Sequence, residues 1–167
     1  FEEVGLKSEM REMFWYRKVF EVREKRDIAF LKIYQLMYGA KIFLNGHFVA
    51  DQYSCFVPES YEVTNFLKYG KENELIIGVG AWLDYLPDEY PDGWDVEKIR
   101  YIPGICDDVE LIFADYPFIE HVECVPDISK NELKVLATIQ NGMEAKEINL
   151  KFNVMGKDED NIVLSKQ

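Results

Sequence analysis

The chain has 167 residues, 48% of them hydrophobic and 14% aromatic, and a net charge of −12. Such a length holds one ordinary domain and part of a second, and the apolar content suffices for a packed core, which excludes a disordered chain. The acidic balance argues against nucleic-acid and anionic-membrane partners, whose phosphates would be repelled. No apolar run approaches the roughly 20 residues that span a bilayer.

The chain opens at Phe1 rather than Met, as a processed or excised segment would, and it shows no signal peptide. Localisation therefore stays open between the cytoplasm and a periplasmic or extracellular setting. Trp15-Tyr16-Arg17-Lys18 is the first distinctive stretch. Ile28–Tyr34 is rich in apolar residues, and its period also fits a helix face of Phe30, Ile33, Met37 and Ala40. We assign it as a strand, because a hairpin follows at once. Ala40–Leu44 and His47–Asp51 flank Asn45-Gly46, and an Asn-Gly pair between apolar runs signals a type I′ turn, both of whose central residues need positive φ. Glu59–Val63 reads as a short strand. Thr64–Gly70 reads as one helical turn, capped by Thr64 and stopped by Gly70. Glu74–Gly80 is a strand with Leu75, Ile77 and Val79 on one face.

Ala81–Tyr101 breaks the pattern. It mixes aromatic and acidic residues with Pro87, Pro91 and Gly93, which block regular structure. A loop of this length inside a domain tends to be functional. Val109–Phe113 returns to strand, and Tyr116-Pro117 marks a domain boundary. Beyond it, Ile119–Val125 and Ile162–Leu164 read as strands. Leu133–Ile139 and Ile148–Val154 read as two half-buried strands joined through Asn141-Gly142. These are fewer strands than the roughly seven of an immunoglobulin-like sandwich.

Trp15–Lys18, Phe43-Leu44-Asn45-Gly46, Val63–Leu67, Glu72-Asn73-Glu74-Leu75 and Gly104–Leu111 occur in an order and spacing that resembles the N-terminal sugar-binding jelly roll of glycoside hydrolase family 2, which includes β-galactosidases and β-glucuronidases. The family's Gly-Ile-aromatic-Arg reads Gly104-Ile105-Cys106-Asp107 here. The resemblance implies an all-β chain: a jelly-roll β-sandwich over residues 1–116, then an incomplete immunoglobulin-like sandwich over 117–167. It also implies a catalytic (β/α)₈ barrel beyond this chain, so that the parent protein would be a retaining O-glycosidase acting in carbohydrate metabolism.

Retaining hydrolysis needs two carboxyl groups roughly 5 Å apart, which the family carries on its barrel. No stretch here alternates strand and helix as a barrel does. Asn73-Glu74 opens the strand Leu75–Val79, so we assign it to structure. His47 is read as a hairpin residue and His121 as a strand residue. No catalytic residue is therefore expected in this chain. In the family's β-galactosidases an aspartate in the loop before the Gly-Ile segment lines the sugar site, and the corresponding region here is Ala81–Tyr101. Ring faces cover the apolar patches of a pyranose, and carboxylates accept strong hydrogen bonds from its hydroxyls. Asp95 and Trp94 are the first candidates for sugar contact, with Asp84 second. The acidic residues lack the Asp-x-Asp-x-Asp-Gly order of an EF-hand, and no metal or cofactor is expected. Cys55, Cys106 and Cys124 have neither metal nor redox spacing and are read as buried thiols.

Two functions fit these features. One is a non-catalytic N-terminal glycosidase segment that helps to position substrate and scaffolds the missing barrel. The other is a stand-alone carbohydrate-binding or adhesion module. Carbohydrate and the barrel are the expected partners, with self-association through bare strand edges.

Overall fold

The structure, a computed structural model, describes residues 11–81, 85–91, 103–143 and 147–156, and the backbone of 162–166. The chain divides into two compact units, Phe1–Asp115 and Tyr116–Gln167. The first unit holds the strands Met13–Glu21 (β1), Ile28–Ile33 (β2), Leu36–Met37 (β3), Ala40–Leu44 (β4), His47–Gln52 (β5), Glu59–Glu62 (β6), Glu72–Gly80 (β7), Gly104–Ile105 (β8) and Val109–Ala114 (β9). The second holds Phe118–Asp127 (β10), Glu132–Gln140 (β11), Phe152–Met155 (β12) and Ile162–Lys166 (β13).

Alternation decides which face of each strand is buried. In β7, Leu75, Ile77 and Val79 point inward, and in β4, Ala40, Ile42 and Leu44 do the same. These strands form the centre of a four-stranded antiparallel sheet in the order β1-β7-β4-β5. A second antiparallel sheet, β6-β2-β9, contributes Ala29, Leu31 and Ile33 to the same core. Each of the buried leucines, isoleucines and valines contributes roughly 1.5–3 kcal/mol relative to an exposed one. The strand expected over Ile28–Tyr34 is therefore present, and the helical alternative for it is not. β3 and β8 form a short antiparallel pair.

Asn45 and Gly46 join β4 to β5 with φ of 53° and 82°, the two left-handed positions that a type I′ turn demands. The register then slips: Ile42 faces Ala50 while Phe43 faces Phe48. Val49 is the extra residue of a bulge. His47 stacks on Phe66, with centroids 5.6 Å apart.

The turn expected after β6 differs in detail. Only Thr64–Phe66 is helical, as one 3-10 turn whose N-cap residue is Val63. The Thr64 hydroxyl does not cap it; Oγ1 accepts the Ala29 N–H at 3.0 Å, tying the turn to β2. Leu67 is already extended, so Gly70 does not end the helix. Its N–H instead donates to the Val22 carbonyl at 2.8 Å.

In the second unit, β10 and β11 form one hairpin through the turn 128–131. Asp127 closes that turn by accepting from Ser129 Oγ at 2.6 Å and from the Lys130 N–H at 3.2 Å. The hydrogen bonds from the Lys130 and Ser129 side chains hold its carboxyl below its ordinary value. The hydrogen-bonded partner of β11 is thus β10, reached through a short loop of low closure cost. The strand expected from Ile148 begins only at Phe152 and pairs with β13. The cysteines also depart from expectation. Cys55 is buried, but Cys106 and Cys124 are exposed.

Candidate functional site

The loop that follows β7 is described over residues 85–91, and its first side chains lie on the outer face of the four-stranded sheet. Residues 76, 78 and 80 of β7 point outward, opposite in sense to Leu75, Ile77 and Val79. A Cβ on Gly80 would meet the Tyr85 ring at 2.5 Å, and one on Gly39 would meet Leu86 Cδ2 at 3.0 Å and Tyr85 Cε1 at 3.3 Å. The two glycines are therefore the floor on which the start of the loop rests. Leu86 is buried in a small second cluster with Met37, Tyr38 and Cys55, against which Tyr53 packs.

Polar groups gather around Tyr85. Lys41 Nζ donates to Asp51 Oδ1 at 3.2 Å. That hydrogen bond, with the neighbouring Tyr85 phenol, raises the Lys41 ammonium above its ordinary value. Burial pushes the Tyr85 phenol up as well. Tyr53 packs on Tyr90 with centroids 5.1 Å apart. Tyr90 keeps 44% of its surface exposed and is held by its N–H to the Pro87 carbonyl at 3.0 Å. The grouping thus offers ring faces, phenol hydroxyls and one ammonium–carboxylate pair. Among the described residues of this grouping Asp51 is the one carboxylate, whereas glycoside hydrolysis with retention requires two.

The candidate sugar-contact residues Asp84, Trp94 and Asp95 lie outside the described residues. The loop aromatics Tyr85 and Tyr90 are brought together with Lys41, Asp51 and Tyr53, which sequence reasoning missed. A regular hairpin closed by Asn45-Gly46 would place Ala50 opposite Lys41. The bulge at Val49 moves Asp51 there instead, and no residue pattern announces that bulge.

A groove of about 540 Å³ lies elsewhere, lined by Phe20, Leu111, Phe113 and the Arg26–Asp115 pair among others. None of its lining residues belongs to the Tyr85 grouping. Asn73-Glu74 is structural. Asn73 is fully buried, and Glu74 is ion-paired with Arg17.

Residues 2–97 match the family described as glycosyl hydrolase 2 galactose-binding domain-like. A β-galactosidase of Thermoanaerobacter pseudethanolicus is 31% identical over 71 residues, covering 41% of this chain and 10% of that protein. A β-glucuronidase of Formosa agariphila is 26% identical over 96 residues, covering 56% of this chain and 10% of that protein. The chain thus spans about a tenth of the length of these curated relatives. Among solved structures, the β-D-glucuronidase of Dictyoglomus thermophilum superposes on 93% of this chain and 29% of its own, with a TM-score of 0.68 at 22% identity, a likeness of fold. The match covers more than half of the sequence, and the chain belongs to the glycosyl hydrolase 2 galactose-binding domain-like family.

Proposed function

We propose that this chain is the non-catalytic N-terminal segment of a β-galactosidase-like glycoside hydrolase. In this role it binds carbohydrate, helps to position substrate, and scaffolds a (β/α)₈ barrel carried elsewhere on the polypeptide. The first unit would be its jelly roll, and residues 117–167 the start of an immunoglobulin-like sandwich. The observation that carries the reading is the seating of Tyr85 beside the Lys41–Asp51 pair, with Tyr90 packed on Tyr53, in a chain of galactose-binding-like family. Ring faces next to charged donors and acceptors suit a pyranose, whose C–H patches and hydroxyls need both. Asp95, Trp94 and Asp84, which lie in the same stretch of sequence, are the further candidates for sugar contact.

The test uses the polypeptide that carries the barrel. Asp95→Ala and Trp94→Ala should each lower kcat/KM, with melting temperature unchanged. If both variants keep wild-type kcat/KM, the loop is an anchor or a solvated surface, and its role in positioning substrate is refuted.

A further inference from the structure

The outer face of the four-stranded sheet carries a second feature that the loop does not use. Trp15 on β1 stands opposite Gly78 on β7. A Cβ on Gly78 would meet three consecutive atoms of the indole six-membered ring, at 2.6, 2.8 and 2.8 Å. An edge-on ring would give one short distance and two much longer ones. The near-equal values put the glycine beneath the ring face, so the indole lies flat across the strand. Trp15 is nevertheless 58% exposed, which leaves its other face open to solvent. Phe43 lies beside it at 6.4 Å between centroids, and Phe48 lies 5.6 Å beyond Phe43.

Charge brackets this ring. Lys41 stands opposite Gly78 on β4 and pairs with Asp51. Arg17, the next outward residue of β1, pairs with Glu74. A protein partner would be expected to meet an interface core depleted of charge, yet here two ion pairs flank the exposed Trp15 ring. A pyranose needs this mixture: an apolar ring face to stack on, and charged groups to hydrogen-bond its equatorial hydroxyls. Gly78 and Gly80 are two residues apart on one face, about 7 Å along the strand. The rings they support, Trp15 and Tyr85, thus form successive steps of one track.

We propose that the open face of Trp15 is a stacking platform for one pyranose of a glycan chain, hydrogen-bonded by Lys41–Asp51 and Arg17–Glu74, so that the ligand of this domain is an oligosaccharide running from Trp15 toward Tyr85 rather than a single sugar. The class of ligand rests on the carbohydrate reading above; the platform itself does not depend on the loop.

Affinity electrophoresis of the full chain through gels containing galactan, galactomannan, xylan or mixed-linkage β-glucan tests this. At least one polysaccharide should retard the chain. Trp15→Ala should weaken that binding about tenfold, the loss of one stacked ring. Gly78→Ala should weaken it similarly, since the added methyl lifts the indole while keeping it in the chain. Circular dichroism should show both variants folded. Retardation lost in these two variants but kept in Tyr90→Ala supports the platform and counts against a sugar contact at Tyr90. Retardation lost in Tyr90→Ala alone supports the loop and overturns the platform. No retardation by any of the four polysaccharides also overturns it. So does a sedimenting dimer that Trp15→Ala converts to monomer, which would assign the face to a second copy.

Discussion

The side-chain amide of Asn45 donates to the Asn73 carboxamide oxygen across 2.8 Å, joining the β4–β5 turn to the start of β7. Around this bond the polar groups are closely satisfied. Asn45 Nδ2 also donates to the Phe66 carbonyl at 2.7 Å, and Asn45 Oδ1 accepts the Glu74 N–H at 3.0 Å. Asn73 Oδ1 accepts the Lys68 N–H, and its Nδ2 donates to the Lys68 and Lys71 carbonyls. Two asparagines thereby hold a hairpin, a 3-10 turn and a strand in one arrangement.

Asn73→Leu should accordingly be costly despite its similar size. It strips buried backbone groups of their partners, and each group left unsatisfied costs about 1–3 kcal/mol. Urea unfolding should show a lower midpoint with an unchanged slope. A midpoint equal to wild type would mean that the network is replaced by water without loss.

Gly46→Val tests the turn itself. Gly46 sits at a φ of 82°, with open space where a Cβ would stand, so any penalty is conformational rather than steric crowding. A β-branched residue in this region should cost about 1–3 kcal/mol. Thermal unfolding that does not change would refute backbone strain at this position.

Acid should reveal the Arg26–Asp115 pair. The hydrogen bond from Arg26 Nη1 at 2.6 Å, followed by that from the Asp27 N–H, holds the Asp115 carboxyl below its ordinary value of 3.8. A carboxylate with a lowered folded pKa stabilises the protein above its unfolded pKa, and that stabilisation disappears as pH falls through the folded value. An NMR titration of Asp115 should show a midpoint below 3.8, and Arg26→Ala should move it back up. The stability gap between the two proteins should close in acid. Identical Asp115 midpoints in the two proteins would show that the exposed pair is screened out by solvent.

The 167-residue chain should release no product from aryl β-galactoside, β-glucuronide or β-mannoside substrates. Glu74, a carboxylate that follows an asparagine in the first unit, is tied to Arg17, and its neighbour Asn73 is committed to the turn. Turnover that disappears in Glu74→Ala would overturn this assignment.

Much of the first unit was legible because its strands announce themselves locally. Alternation in Leu75, Ile77 and Val79 marks the buried face of β7, and Asn45-Gly46 can hardly be anything but a tight turn. What was not legible depends on register and on distant partners. Lys41 meets Asp51 only because Val49 bulges out of the ladder. Thr64 had the look of a helix cap, but its hydroxyl is claimed by the Ala29 N–H from 35 residues away. The sequence alone assigns no role to Gly78 or Gly80. Only the rings of Trp15 and Tyr85, brought from β1 and from the loop, explain why nothing larger stands there.

The sheet order β1-β7-β4-β5 also has a consequence for how this chain is made. β1 ends at Glu21, and its neighbour in the sheet among the described residues, β7, begins at Glu72. On a ribosome adding roughly 5–20 residues per second, β1 must wait several seconds for a partner, with Phe20, which packs on the core in the folded unit, left bare. The hairpin β4–β5 can close early because its ends are adjacent, whereas β1 can pair only once β7 has been made. A nascent chain halted before Glu72 should therefore be the species most dependent on a chaperone, and its first strand is the segment to be held.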